Sequence, residues 1–241
     1  DPAVIPANIA PAPQPVSAQP HSPSIHALQQ ELLDYLLHFD EANAGEVMRR
    51  AFTLYSVDQV LMDVVTPALV QIGDLWHEGK LPIAVEHYAT QFCMQHLMSM
   101  LAASAPPARD GLIVAACAPG EAHQIGLLIL VVMLRWRGWN VKYLGPDLKL
   151  DRMEEALGPM NPTILMFTAN RVETAQQLVP LPEILARFPS PRPIVVLGGQ
   201  AFNSMRLPED VPAVYIQASP VETVKTIEAL MLEHKPNQPF R

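Results

Sequence analysis

Apolar positions recur at three- and four-residue spacing from Ile25 to about Ala103, the period of amphipathic helices. Leu28, Leu32, Tyr35, Leu36 and Phe39 fall on one stripe of a first helix. Asp40 predicts the N-cap of a second helix that runs to Leu54. Ser56 predicts that of a third, in which Val57, Val60, Leu61, Val64, Leu69 and Ile72 repeat at helical period and Pro67 introduces a kink. Gly79 supplies a stop and Pro82 a first-turn start, so a fourth helix extends from Pro82 to about Ala103. Four helices with short connections predict an antiparallel bundle over residues 25–105.

After Ala105-Pro106-Pro107 the pattern changes to short apolar runs separated by helical segments. Strands are predicted at Leu112–Ala116, Asn140–Leu144, Thr163–Phe167, Ile194–Leu197 and Val214–Ile216. Helices are predicted at Gln124–Arg137, Asp151–Leu157, Ala175–Phe188 (disturbed by Pro180 and Pro182) and Pro220–Glu233. Such alternation implies a parallel sheet covered on both faces. The expected fold is therefore α/β: a four-helix bundle followed, over residues 108–235, by a Rossmann-like, flavodoxin-like sheet domain. Residues 1–24 hold seven prolines and read as a semi-extended segment, either a linker to an upstream domain or an ordinary tail. Residues 236–241 form a tail, and a start at Asp1 without Met suggests a piece of a longer chain.

Composition narrows the function. With 49% hydrophobic and 17% charged residues the chain can bury a sizeable core. A net charge of -8 argues against this segment itself gripping a nucleic-acid backbone. Cys93 and Cys117 lie far apart in apolar surroundings and read as reduced core thiols, which suits a cytoplasm. The longest apolar run, Leu127 to Leu134, is far short of the roughly twenty residues a membrane span requires, so no membrane association is expected.

In an open parallel sheet, ligands bind outside the carboxyl ends of the strands. The first such end, Ala118-Pro119-Gly120-Glu121-Ala122-His123-Gln124-Ile125-Gly126, has neither the GxGxxG spacing of a dinucleotide site nor a Walker lysine. It offers an imidazole with a carboxylate two residues earlier. A carboxylate that accepts the ring's other N–H fixes the tautomer of a metal-bound His, while Gly126 lets a planar group approach the backbone. Taken alone, a loop His is as consistent with a surface or core position. The third strand ends in Thr168-Ala169-Asn170 and the fourth in Gly198-Gly199. Together, Glu121-x-His123-x-x-Gly126, a hydroxyl residue after strand three and a Gly-Gly after strand four resemble the cobalamin-binding domain of corrinoid methyl carriers, mutases and light-sensing regulators. That resemblance implies that His123 is the lower axial ligand of cobalt, hydrogen-bonded to Glu121. It also implies that Thr168 contacts the buried nucleotide tail, and that Gly198 and Gly199 leave room for it. Glu in place of the usual Asp, and Thr168-Ala169-Asn170 in place of Ser-x-Leu, are departures. On this reading Glu121→Gln touches only ring orientation and basicity.

A second group lies in the bundle, where Trp76 and His77 end one helix and Glu86 and His87 open the next, near one rim of a helical hairpin. The residues alone allow a wet hairpin end with Trp76 as a core anchor, or a zinc site from His77, Glu86 and His87. The spacing Trp76-x9-Glu86-His87 resembles the cap signature of MerR-type cobalamin-dependent photoreceptor regulators. It implies that adenosylcobalamin is the cofactor, that Trp76 packs over its adenosyl group, that Glu86 hydrogen-bonds it, and that His77 takes the cobalt position vacated after light breaks the Co–C bond. The same resemblance implies a non-enzymatic sensor, a homo-oligomer that depends on ligand or light state, and DNA contact only through a missing upstream domain. The alternative is a corrinoid methyl carrier of a methyltransferase system; that branch typically has Lys-Asn where this chain has Leu127-Leu128. A second chromophore such as a bilin is neither indicated nor excluded. Met94, Met98 and Met100 fit either bundle core or a soft wall beside the corrin, and Trp136 and Trp139, flanking Gly138, read as packing residues.

Overall fold

The computed structural model describes residues 22–208, 211 and 213–234. Most of the proline-rich stretch, 1–21, and the tail 236–241 lie outside the described residues. Helix α1 (Ile25–Leu37) is capped by Ser24, whose side chain accepts from Ala27 N, and α2 (Glu41–Leu54) by Asp40, which accepts from Asn43 N at 3.1 Å. Ser56 and Gln59 form a capping box at the start of α3 (Val57–Val60). The chain continues without a break through a π-helical turn, Leu61–Val65, into α4 (Thr66–His77). The disturbance expected at Pro67 takes the form of this turn, just ahead of the proline. Proline has no N–H for the carbonyl four residues back, and one extra residue in the preceding turn relieves the clash. Thr66 N–H accordingly reaches Leu61 O, which also accepts from the Thr66 hydroxyl at 2.7 Å. Gly79, at φ +70°, ends the helix, and Pro82 stands at the N-cap of α5 (Ile83–Ala103), one residue before the start expected for it.

Strands β1 (Leu112–Cys117), β2 (Asn140–Gly145), β3 (Ile164–Thr168), β4 (Ile194–Gly198) and β5 (Ala213–Tyr215) form one parallel sheet in the order β2-β1-β3-β4-β5. The connecting helices are α6 (Ile125–Trp136), α7 (Met153–Leu157), α8 (Val172–Gln176), α9 (Leu181–Leu185), α10 (Ala201–Ser204) and α11 (Pro220–Glu233). In place of the single helix expected over 175–188, α8 and α9 are separate one-turn helices, because Pro180 and Pro182 withdraw two N–H donors in succession. The strand order reverses between β1 and β3, which opens a crevice at their carboxyl ends. Register places Cys117 opposite Thr168 and Thr168 opposite Gly198, so three loops leave the sheet side by side.

One face of the sheet packs on α6 and α11, and a single apolar core runs from that face through α6 into the bundle. The other face is covered by α7 to α10. Trp139 is buried and donates its ring N–H to Glu228 at 2.9 Å, whereas Trp136, expected to pack, is half exposed as the last residue of α6.

At Gly199 the backbone is at φ +102°, and a Cβ there would sit 2.3 Å from Ala169 O. At Gly198 the nearest atom to such a Cβ would be Ile216 O at 3.7 Å, an ordinary contact. Gly199→Ala is therefore expected to lower stability by about 2–3 kcal/mol and Gly198→Ala by much less, measured by chemical denaturation. Equal midpoints for the two variants would contradict this account.

Candidate cofactor site

The loop after β1 is organised around Glu121, whose side chain is fully buried. Oε1 accepts from His123 N at 3.0 Å and faces His123 Nδ1 at 2.5 Å. Oε2 accepts from Asn170 N at 2.8 Å, from Arg171 N at 3.3 Å and from the buried Thr174 hydroxyl at 2.8 Å. Burial alone would push this carboxyl up, but the bonds from His123 N, Asn170 N, the His123 ring and Thr174 outweigh it and hold the group at about 2. The loop is clamped further by Asp147, which gives its N–H to Glu121 O at 3.0 Å and accepts from Gly120 N. Arg171 reaches Gly120 O at 2.8 Å.

With Nδ1 committed to Glu121, the His123 ring carries its proton there and leaves Nε2 as a lone-pair donor. The imidazole is 63% exposed, so that nitrogen can meet an incoming metal. Beside it lies a cleft of about 190 Å³ on the α6 and α11 face of the sheet. Its floor is apolar, from Leu127, Leu130, Met166, Val196 and Ile216. Its walls carry Thr168, Asn170, Gly198, Gly199 and Thr223. A Cβ on Gly126 would meet nothing within 4 Å. A ligand-ready imidazole, open backbone beside it and an apolar slot next to it fit a corrinoid: His123 would hold the cobalt, Gly126 would lie against the macrocycle, and the slot would take a tail. Gly198 leaves that slot open, whereas Gly199 is required first by its own crossing with Ala169. Thr168 donates its hydroxyl to Cys117 Sγ at 3.6 Å and keeps its lone pairs toward the cleft it lines.

The bundle residues form two pairs. Trp76, 37% exposed, lies against His77 with ring centroids 4.6 Å apart and the ring planes tilted by 44°. Glu86 accepts from Thr90 at 2.9 Å and faces His87 Nδ1 at 2.6 Å. None of the four lines the cleft. Among the described residues no group of three or more His, Cys, Asp or Glu is placed to hold a metal ion, which removes the zinc alternative. Cys93 and Cys117 are free and buried. No helix among the described residues is long and apolar enough to cross a membrane.

Sequence reasoning missed Thr174, because a Thr inside a short helix carries no spacing signal until the fold brings it under Glu121. It also understated Glu121 itself, which joins the β1 and β3 loops as well as orienting a ring. Glu121→Gln would set an amide NH2 against backbone donors. The expected loss is about 2–4 kcal/mol of stability, read by denaturant titration of cofactor-free protein. In the parent, the stabilisation from this carboxylate is complete above its ordinary value of 4.5 and is lost as pH falls through about 2. A Gln variant as stable as the parent at pH 7 would leave Glu121 a ring-orienting group alone.

Comparison with known proteins bears on the chain as a whole. Residues 28–101 and residues 111–224 each match a B12 binding domain family, so the matches span most of the chain. The chain is 27% identical over 188 residues to the HTH-type transcriptional repressor CarH of Myxococcus xanthus, covering 78% of this chain and 61% of the relative. It is 26% identical over 173 residues to the repressor CarA of the same organism, covering 72% and 58%. The chain thus spans about three fifths of the length of these curated relatives. Among solved structures, the monomethylamine corrinoid protein of Methanosarcina barkeri superposes with a TM-score of 0.65 at 16% identity, covering 87% of this chain and all of that one, a likeness of fold. A helical region and a parallel-sheet region, each matching a B12 binding domain and joined by one core, make this chain a member of the B12-binding proteins, with cobalamin as its cofactor.

Proposed function

We propose that the chain is the cobalamin-holding sensor portion of a cytoplasmic, MerR-type transcriptional repressor, and that it responds to light without catalysing a reaction. The observation that carries the proposal is the Glu121–His123 pair, a buried carboxylate that leaves one imidazole nitrogen free beside an apolar cleft. Likeness to the CarH and CarA repressors supports the regulatory reading over a methyl carrier. So do Leu127 and Leu128, which are buried on α6 and form part of its packing.

In this reading His123 would hold the cobalt, and adenosylcobalamin would supply a light-sensitive cobalt–carbon bond. Trp76 offers a broad, partly exposed ring to the adenosyl group. Glu86 keeps its bond to Thr90 and turns its other oxygen from His87 to the ligand. His77, whose ring lies beside that of Trp76, would offer an imidazole nitrogen to the cobalt in place of the adenosyl group. Two histidines from the two regions would then hold the bundle in a new register and change the surface offered to other copies of the chain. DNA contact belongs to a segment beyond these residues, consistent with the net charge of -8.

His123→Ala is expected to weaken cobalamin binding by at least about 10-fold and to alter the cobalt absorption bands. Unchanged affinity and spectrum would remove His123 as the ligand. Trp76→Ala should retain cobalamin but narrow the preference for the adenosyl over the methyl form, measured by competitive binding. His77→Ala should leave dark binding intact and give a photoproduct whose spectrum shifts toward water ligation; a photoproduct identical to the parent's would show that His77 stays off the metal.

A further inference from the structure

The cleft beside His123 is not uniform along its length. Strand side chains on one face fall in layers two residues apart, about 7 Å. Register sets Thr168 opposite Gly198 at the mouth and Met166 opposite Val196 one layer below. Helix α6 descends the same wall from Gly126 to Leu130, and α11 contributes Thr223 from the end of its first turn. Apart from His123, the lining side chains with hydrogen-bonding atoms are Thr168, Asn170 and Thr223. All three belong to the mouth. Thr168 spends its proton on Cys117 Sγ and presents lone pairs. Asn170 Oδ1 accepts from Gln200 N at 3.2 Å, which leaves the amide NH2 as a donor. The Thr223 hydroxyl turns back to Ala218 O at 3.4 Å. The deep end is formed by Leu130, Met166 and Val196. One turn or one layer further, Leu134, Ile164 and Ile227 are fully buried and do not line the cleft, so it ends in hydrocarbon.

This gradient runs in the same sense as the nucleotide tail of a corrinoid, which carries a phosphate and a ribose ahead of its base. Phosphate and ribose would meet the donors and lone pairs of Asn170, Thr168 and Thr223. The base would reach the hydrocarbon end. Corrinoids differ in that base. Beyond its two ring nitrogens, an alkylated benzimidazole has only C–H and methyl edges. Adenine adds two further ring nitrogens and an exocyclic amine. Against Leu130, Met166 and Val196 those atoms would lose their water and find no side chain to replace it. An unpaired polar group buried in this way is costly, whereas methyl groups gain by the same burial.

We propose that this chain selects among corrinoids by the base of the tail, taking a benzimidazole and disfavouring a purine, and that Leu130, Met166 and Val196 set the preference. The proposal rests on the reading that the cleft holds the tail, which a corrinoid without a nucleotide tests separately. Competitive titration of the cofactor-free chain, followed by the cobalt absorption bands, compares hydroxocobalamin, its adenine-base counterpart and cobinamide, which has no nucleotide. Hydroxocobalamin is expected to bind at least about 10-fold more tightly than the adenine form, and cobinamide more weakly than hydroxocobalamin. Each base also binds its own cobalt in solution with a different strength, but that contribution is common to all variants and cancels when their ratios are compared. Val196→Thr and Met166→Gln, which place a hydroxyl or an amide at the deep end, should each narrow the parent's preference. Equal affinity of the parent for the two tailed forms, or a ratio that neither substitution moves, would overturn the selection. Cobinamide weaker than both in the same titration would then show that the tail still enters the cleft. Cobinamide as tight as hydroxocobalamin would instead overturn the reading that the cleft holds the tail, and the proposal with it.

Discussion

Glu121 is a carboxylate with no exposed surface, and such a group is tolerated only when donors surround it. Here the donors come from its own loop and from the loop and helix after β3. One side chain therefore ties together the two loops at the sheet's switch point and sets the tautomer of His123. The same bonds that stabilise the fold hold the imidazole in one orientation, with its Nε2 turned away from the carboxylate. Structure and cofactor chemistry are joined in one ionised group, and neither can be changed there without the other.

Much of this was legible in the chain. Asp40, Ser56 and Gly79 announced helix ends because short polar side chains and glycine satisfy local backbone geometry, and local geometry is written locally. The strand–helix alternation gave a parallel sheet, and the sheet gave the place where ligands bind. What escaped depended on contacts remote in sequence. Thr174 meets Glu121 only after β3 has paired with β1. Trp136 and Trp139 read alike because both flank Gly138 at a helix end, yet only Trp139 is buried, since what covers a helix end comes from elements remote in sequence. Pro67 was recognised as a disturbance, but whether a helix bends or inserts a residue depends on what packs around it.

The two groups of candidate residues differ in how firmly they are held. His123 is fixed by a buried partner and a clamped loop. Trp76, His77, Glu86 and His87 sit on a hairpin whose bonds are local, with His87 largely exposed. On the proposed function this difference suits a division of labour, in which the firmly held group would retain the cofactor and the looser one would report on it.

Helix α6 has one further consequence. From Leu127 to Leu134 it is buried on nearly every side, one flank against the sheet and another against the bundle. Two family matches suggest two separable pieces, but cutting the chain between them would bare that second flank to water. An isolated sheet fragment would expose a long aliphatic strip, the kind of surface that drives self-association. The boundary drawn by homology is thus not a boundary of solubility, and any minimal expression fragment must keep both halves or redesign the outward side of α6.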